Sequence, residues 1–164
     1  MSSVTNLIKS FLRQIAIMIG SWAWVPNYLP QITAVDKFIQ RKSRGVISLP
    51  RLAGLPGVLL TVPGRKSGVP RSTPLICTPY RDGVLIAGSN FGGPNVPVWV
   101  GNLRAAEKAS MRFAGADMAV VADELDGDAR AAAWDLMLKT WPNYRLYEER
   151  THRTIPVFWL RPAA

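Results

Sequence analysis

A single cysteine and a single histidine among 164 residues close off several chemistries at once. With only Cys77 no internal disulfide can form, which fits a reducing cytoplasm. The expected state of Cys77 is a buried apolar filler within a strand. Cys77 and His152 lie far apart in the chain, and a zinc site wants three or four nitrogen or sulfur ligands, so no metal site is expected. A Ser-His-Asp triad would depend on His152, which stands between Thr151 and Arg153 with no nucleophile-elbow motif anywhere; His152 reads as a packed or capping residue. Long apolar runs are missing too. The stretch Ile15 to Ile19 is far short of the roughly 20 residues that span a bilayer, and no Ala-x-Ala-like cleavage site follows it. Neither a Walker A loop nor a GxGxxG turn is present. Hydroxyls, arginines, aromatics and a bound cofactor remain to carry chemistry.

Acidic residues are scarce in the first half. Residues 1 to 81 hold eleven Lys/Arg against one acid (+10), whereas residues 82 to 164 hold nine against ten (−1), so the whole of the net +9 comes from the N-terminal half. An anionic partner therefore belongs there. Without a helix-turn-helix, zinc-finger or RRM signature, nucleic acid is the weakest candidate. The densest cationic stretch is Pro63-Gly64-Arg65-Lys66-Ser67-Gly68-Val69-Pro70-Arg71-Ser72-Thr73-Pro74. Its glycines let backbone amides approach a ligand, while Arg65, Lys66 and Arg71 supply charge. A solvated basic hairpin turn is the alternative reading.

Leu7, Ile8, Phe11, Leu12, Ile15, Ile19 and Trp22 recur at helical spacing beside Lys9 and Arg13 and predict an N-terminal amphipathic helix. With Trp24 and Tyr28 it suits either a membrane interface or packing on the rest of the protein. A second helix is expected from Thr33, carrying Val35, Phe38 and Ile39 and ending at Arg41-Lys42-Ser43-Arg44. From there the pattern turns to strands: 58–62, 73–80 and 84–89 as a meander, a pair at 109–113 and 118–123, and a last strand at 155–160. Pro97 opens a helix to about Ala106, and Asp126 or Asp128 caps another running to Lys139. The chain is expected to be α+β: a small barrel of about six antiparallel strands over residues 46–164, with flanking helices and a helical extension at 1–45.

Leu59 to Arg71, Gly88-Ser89-Asn90-Phe91-Gly92-Gly93, Pro97 to Ala105, Trp141-Pro142-Asn143-Tyr144 and Arg153-Thr154-Ile155-Pro156 together resemble the deazaflavin-dependent nitroreductase family of actinobacteria, in that family's order and spacing. The resemblance covers about residues 50 to 162. It implies a split β-barrel that binds reduced coenzyme F420 and passes a hydride to a quinone, enone or nitro acceptor. The phosphodiester and glutamates of that cofactor's tail suit the basic loop. By resemblance Arg65, Lys66 and Ser67 meet the tail, and Arg71, Ser72, Thr73, Pro74, Leu75 and Ile76 run beside the cofactor. Gly88, Ser89 and Asn90, with Val98, Trp99, Val100, Gly101 and Asn102, complete its pocket. Tyr144 is the expected donor hydroxyl, with Ser89 and Tyr147 close to the reaction, and Trp22, Trp141, Tyr144 and Tyr147 line the acceptor side. Some relatives carry lysine where this chain has Asn90 and glycine where it has Phe91, which favours a quinone or enone over a nitroimidazole. The single cysteine fits a cytoplasmic enzyme, and the amphipathic N-terminal helix is able to hold it on the inner face of the membrane. The alternatives are an FMN-binding split-barrel reductase and a non-catalytic carrier of a deazaflavin or fatty acyl chain.

Overall fold

A computed structural model describes residues 2–22 and 54–163, together with Trp24, Tyr28, Gln31, Ala34, Val35, Phe38 and Ile39. Helix α1, Ser2–Gly20, is followed by β1 Gly57–Pro63, β2 Pro70–Ile76, β3 Thr78–Tyr80 and β4 Gly83–Ala87. A short 3-10 turn, Asn90–Gly92, leads to helix α2 Val98–Ala105. The chain continues through β5 Ala109–Phe113, β6 Ala116–Leu125, α3 Gly127–Thr140, α4 Asn143–Thr151 and β7 Val157–Pro162. The helix expected from Thr33 to Arg44 falls largely outside the described residues; Ala34, Val35, Phe38 and Ile39 are helical.

All seven strands pair antiparallel in one sheet, in the order β2-β1-β5-β6-β7-β4-β3. Strands β2 and β3 stand at opposite ends of that order, yet Cys77 alone separates them in sequence. A one-residue connection between opposite edges requires the sheet to curl until they meet, which makes it a barrel split at Cys77. The segment expected as one strand at 73–80 is therefore two, and the expected meander is broken there: β2 pairs with β1, and β3 with β4. Cys77 is buried, and its N–H donates to Pro56 O at 3.0 Å. The last strand begins two residues later than expected because Ile155 and Pro156 stay outside the ladder.

Side-chain alternation divides the apolar residues between two layers. Val58, Leu60, Val62, Val84, Ile86, Trp99, Phe158 and Leu160 fill the barrel. Leu85, Ala87 and Val157 face outward under Trp134, Met137, Trp141, Tyr144 and Tyr147 of the helical layer. Strand β4 is covered on both sides, so Val84, Leu85, Ile86 and Ala87 read as an uninterrupted apolar run. The β5–β6 hairpin turns on Ala114 and Gly115, both left-handed at φ 51° and 88°, the geometry a tight two-residue turn requires.

Candidate active site

The loop between β1 and β2 is closed by its own backbone. Gly64 N–H donates to Val69 O at 2.9 Å, and Ser67 and Gly68 N–H donate back to Gly64 O at 3.1 and 2.7 Å. Gly68 is left-handed at φ 68°. This closure spreads Arg65, Lys66 and Ser67 along the exposed tip, while the Arg71 side chain lies over Gly64. Among the described residues no carboxylate lies within ion-pair distance of Arg65, Lys66 or Arg71, whereas Arg104, Arg112, Arg130 and Arg161 are all paired. Three cations without a carboxylate partner on one hydrogen-bonded turn make a candidate anion cradle.

Helix α2 holds that cradle from below. The buried Asn102 side chain accepts the Arg65 backbone N–H at 3.2 Å, and the Arg65 guanidinium occupies the space that a Cβ at Gly101 would need. Gly101→Ala is therefore expected to displace Arg65 and raise the dissociation constant for an anionic cofactor by about tenfold, roughly 1.4 kcal/mol, with little effect on melting temperature. An unchanged constant by fluorescence titration would contradict that packing argument.

One residue before Gly101 in α2, Val100 packs on Gly88 just beyond β4, where a Cβ would come within 2.7 Å of Val100 Cγ2. Ser89 is buried, and its hydroxyl has no hydrogen-bond partner among the described residues. Phe91 then lays its ring against Tyr147 at 5.6 Å between centroids. Tyr147 meets Tyr144 edge-on at 6.2 Å, and Tyr144 stacks on Trp134 at 5.4 Å. Strand β2 runs from the cradle to Ile76, which packs against the aromatic layer that holds Tyr144. The cradle and the aromatic layer thus lie at opposite ends of β2, whose seven residues extend roughly 20 Å.

Helix α4 carries Tyr144 and also grips α1. Asn143, Tyr147 and Arg150 recur at i, i+4 and i+7, one helical face. Asn143 Nδ2 donates to Ile17 O at 2.6 Å, Tyr147 Oη to Gly20 O at 2.7 Å, and Arg150 Nη2 to Ser21 O. These acceptors include carbonyls that the end of α1 leaves without helical partners. In return, Arg13 Nη2 donates to Lys139 O and Thr140 O at 2.8 and 3.2 Å, closing the end of α3. This latch escaped the sequence reading; the polar stripe 143/147/150 was its available signal.

Burial pushes the Tyr144 hydroxyl well above its ordinary pKa, with Tyr147 and Cys77 adding to the rise, so it stays protonated and acts as a donor. Burial likewise raises Tyr147 to about 12, against the opposing pull of Trp141, Asn143 and Arg150. Cys77 rises from 9.0 to about 12 through burial. A group whose folded pKa is raised contributes stability that is complete below its unfolded pKa and is lost as pH rises toward the folded value. For Cys77 that window runs from about pH 9 to 12. Cys77→Ala is expected to flatten the decline of melting temperature above pH 9, and parallel profiles for the two proteins would contradict it.

The structure brings Tyr144, Tyr147 and Trp141 into one buried layer. It sets Trp22 apart, with its exposed ring on Trp24 at 5.3 Å. Trp99 turns into the barrel against Phe158 at 6.0 Å and Val98 faces solvent, so neither side chain turns toward the cradle as Arg65's neighbours Gly101 and Asn102 do. The Ser72 hydroxyl is shared with Thr61 at 2.8 Å. Thr73, Pro74, Leu75 and Ile76 are half-buried along β2, and Asn90 donates to Asn95 O at 3.0 Å. His152 is the left-handed residue closing α4 at φ 51°, a capping position. Among the described residues no cluster of His, Cys, Asp or Glu can hold a metal.

The split barrel carries three cations without carboxylate partners at one end of β2 and buried phenols at the other, a candidate site for an elongated anionic ligand. The family model for F420H(2)-dependent quinone reductases matches residues 34–162. An F420H(2)-dependent quinone reductase of Mycobacterium tuberculosis is 30% identical over 139 residues, covering 82% of this chain and 93% of the relative. A solved F420-H2 dependent reductase, FDR-A, is 33% identical with a TM-score of 0.61, covering 65% of this chain and 94% of its own. A solved domain-swapped dimer is 30% identical with a TM-score of 0.63, covering 79% of this chain and 100% of its own. The chain belongs to the F420H(2)-dependent quinone reductase family. It is an oxidoreductase whose cofactor is coenzyme F420.

Proposed function

We propose that this protein transfers a hydride from reduced F420 to a membrane quinone, with Arg65, Lys66 and Arg71 holding the anionic tail and Tyr144 serving the acceptor. The unpaired cradle locked onto Gly101 and Asn102 carries this reading. When bound, the reduced deazaflavin supplies the hydride. The chain's own residues supply placement, exclusion of water and one proton-bearing group. A quinone that takes up hydride develops negative charge on oxygen, and the Tyr144 phenol, kept protonated by burial, donates a hydrogen bond to that oxygen. Tyr147 has its hydroxyl on Gly20 O and acts by fixing α4, with Trp141 packed over Gly20 beside it. Equilibrium titration tests the assignment: F420 should bind and FMN should not. Binding of FMN alone would replace the deazaflavin reading.

Helix α1 supports a peripheral membrane location. Its docked face uses Arg13, Ala16, Ile17 and Gly20, leaving Leu7 at 73% and Phe11 at 67% exposure beside Ile8 and Lys9. Trp24 and Tyr28 add exposed rings in edge contact at 5.6 Å. An open apolar stripe flanked by aromatics and a cation fits the interface of an anionic bilayer. No helix among the described residues is long and apolar enough to cross a membrane. Leu7→Ser with Phe11→Ser spares the latch and should abolish cosedimentation with phosphatidylglycerol-containing vesicles. Undiminished cosedimentation would move the contact to the barrel's basic face.

A further inference from the structure

Arg153 lies just beyond α4 with one nitrogen set among four backbone carbonyls. Its Nη2 is 3.1 Å from Ser89 O, 3.2 Å from Gly88 O, 3.4 Å from Asn95 O and 3.5 Å from Gly93 O. Thr151 Oγ1 adds a bond to Gly93 O at 2.8 Å. The segment gathered in this way is conformationally costly. Asn90, Phe91 and Gly92 are left-handed in succession at φ 49°, 53° and 80°, a conformation that the two non-glycine residues rarely adopt. Its internal bonds are few: Gly92 N–H to Ser89 O at 3.0 Å, Gly93 N–H to Asn90 O at 2.8 Å, and the Asn90 side chain to Asn95 O.

The guanidinium has no carboxylate partner among the described residues, and its Nε and Nη1 are buried without acceptors. Burial lowers its pKa from the ordinary arginine value. A cation kept in such a place is a poor source of stability, since an apolar side chain of similar size would avoid the desolvation. Its charge falls on the Gly88 and Ser89 carbonyls, whose peptide groups carry the Ser89 and Asn90 N–H donors. Neither N–H has an acceptor among the described residues, and the Ser89 hydroxyl is also unpartnered. Drawing electron density toward the carbonyl oxygen strengthens the N–H of the same peptide group as a donor.

We propose that Arg153 is the positioning residue of the cofactor pocket, holding the 88–95 loop in its left-handed form so that the Ser89 and Asn90 donors face the anionic deazaflavin. This rests on the F420 reading. Arg153→Gln should speed hydrogen exchange at the Gly92 and Gly93 amides by at least tenfold, leave β1 and β5 amides unchanged, and raise the F420 dissociation constant by at least tenfold. Arg153→Lys, which keeps the charge and can still donate to the carbonyls, should restore both quantities to within about threefold of wild type. Thr151→Val should loosen the same amides by a smaller factor, and it decides the loop claim if the glutamine variant does not fold. Wild-type exchange and affinity in Arg153→Gln would overturn the proposal, as would a loosened loop with undiminished F420 affinity. A wild-type protein that binds no F420 would remove the cofactor reading instead, leaving the exchange results to judge the clamp alone.

Discussion

Arg65→Ala combined with Lys66→Ala is expected to weaken F420 binding by at least a hundredfold and to leave the melting temperature nearly unchanged. Hydrogen bonds between ionised groups contribute about 1.5 to 3 kcal/mol each. Two lost contacts therefore cost about 3 kcal/mol at the lower bound, more than a hundredfold in affinity. Neither side chain makes an ion pair among the described residues, and both are exposed, so folding loses little. Wild-type affinity should fall as salt rises and the double variant should show a shallower dependence, because exposed charges are screened. Equal affinity in fluorescence titrations, or an unchanged salt slope, would contradict the cradle.

Tyr144→Phe is expected to lower kcat by about a hundredfold to a thousandfold, the range for removing one donor from a developing oxyanion. F420 affinity should stay within about twofold. The Tyr144 hydroxyl has no hydrogen-bond partner among the described residues, so its removal leaves no orphaned acceptor, and its rings against Trp134 and Tyr147 are retained. Because burial holds its pKa above the ordinary tyrosine value, no loss of rate from its ionisation is expected below pH 10. Tyr147→Phe should behave in the opposite manner. It removes the bond to Gly20 O, costs about 1 kcal/mol of stability, and lowers kcat much less. Stopped-flow single-turnover rates separate the two, and a wild-type rate in Tyr144→Phe would remove the donor assignment.

The family and the parts of the candidate site that are local in sequence were legible. Gly64, Gly68 and the cations between and after them announce an exposed basic turn, and the ordered blocks from Leu59 to Pro156 identify the family. The split at Cys77 was hidden because 70–80 is continuously strand-like on either side of one residue, and only the pairing partners reveal that the chain changes edges there. Helix α4 was hidden for a different reason. Asn143 to Thr151 is strongly polar, its buried side is the short stripe Asn143, Tyr144 and Tyr147, and no apolar periodicity marks it. The destinations of Asn143, Tyr147 and Arg150 were out of reach as well, since their acceptors lie more than 120 residues earlier in the chain. The apolar stripe of α1 was visible, but whether it packs or stays open depends on Arg13, Ala16, Ile17 and Gly20, which turn the opposite side toward the protein.

The most direct test of hydride transfer to a quinone is anaerobic single-turnover oxidation of reduced F420 by the purified protein, with menadione added and hydroquinone quantified. One hydroquinone formed for each F420H2 consumed, at a rate that saturates with menadione and collapses in Tyr144→Phe, is the expected result. Tight F420 binding with no acceptor-dependent oxidation, across menadione and longer-chain quinones presented in vesicles, would contradict it and leave a cofactor carrier.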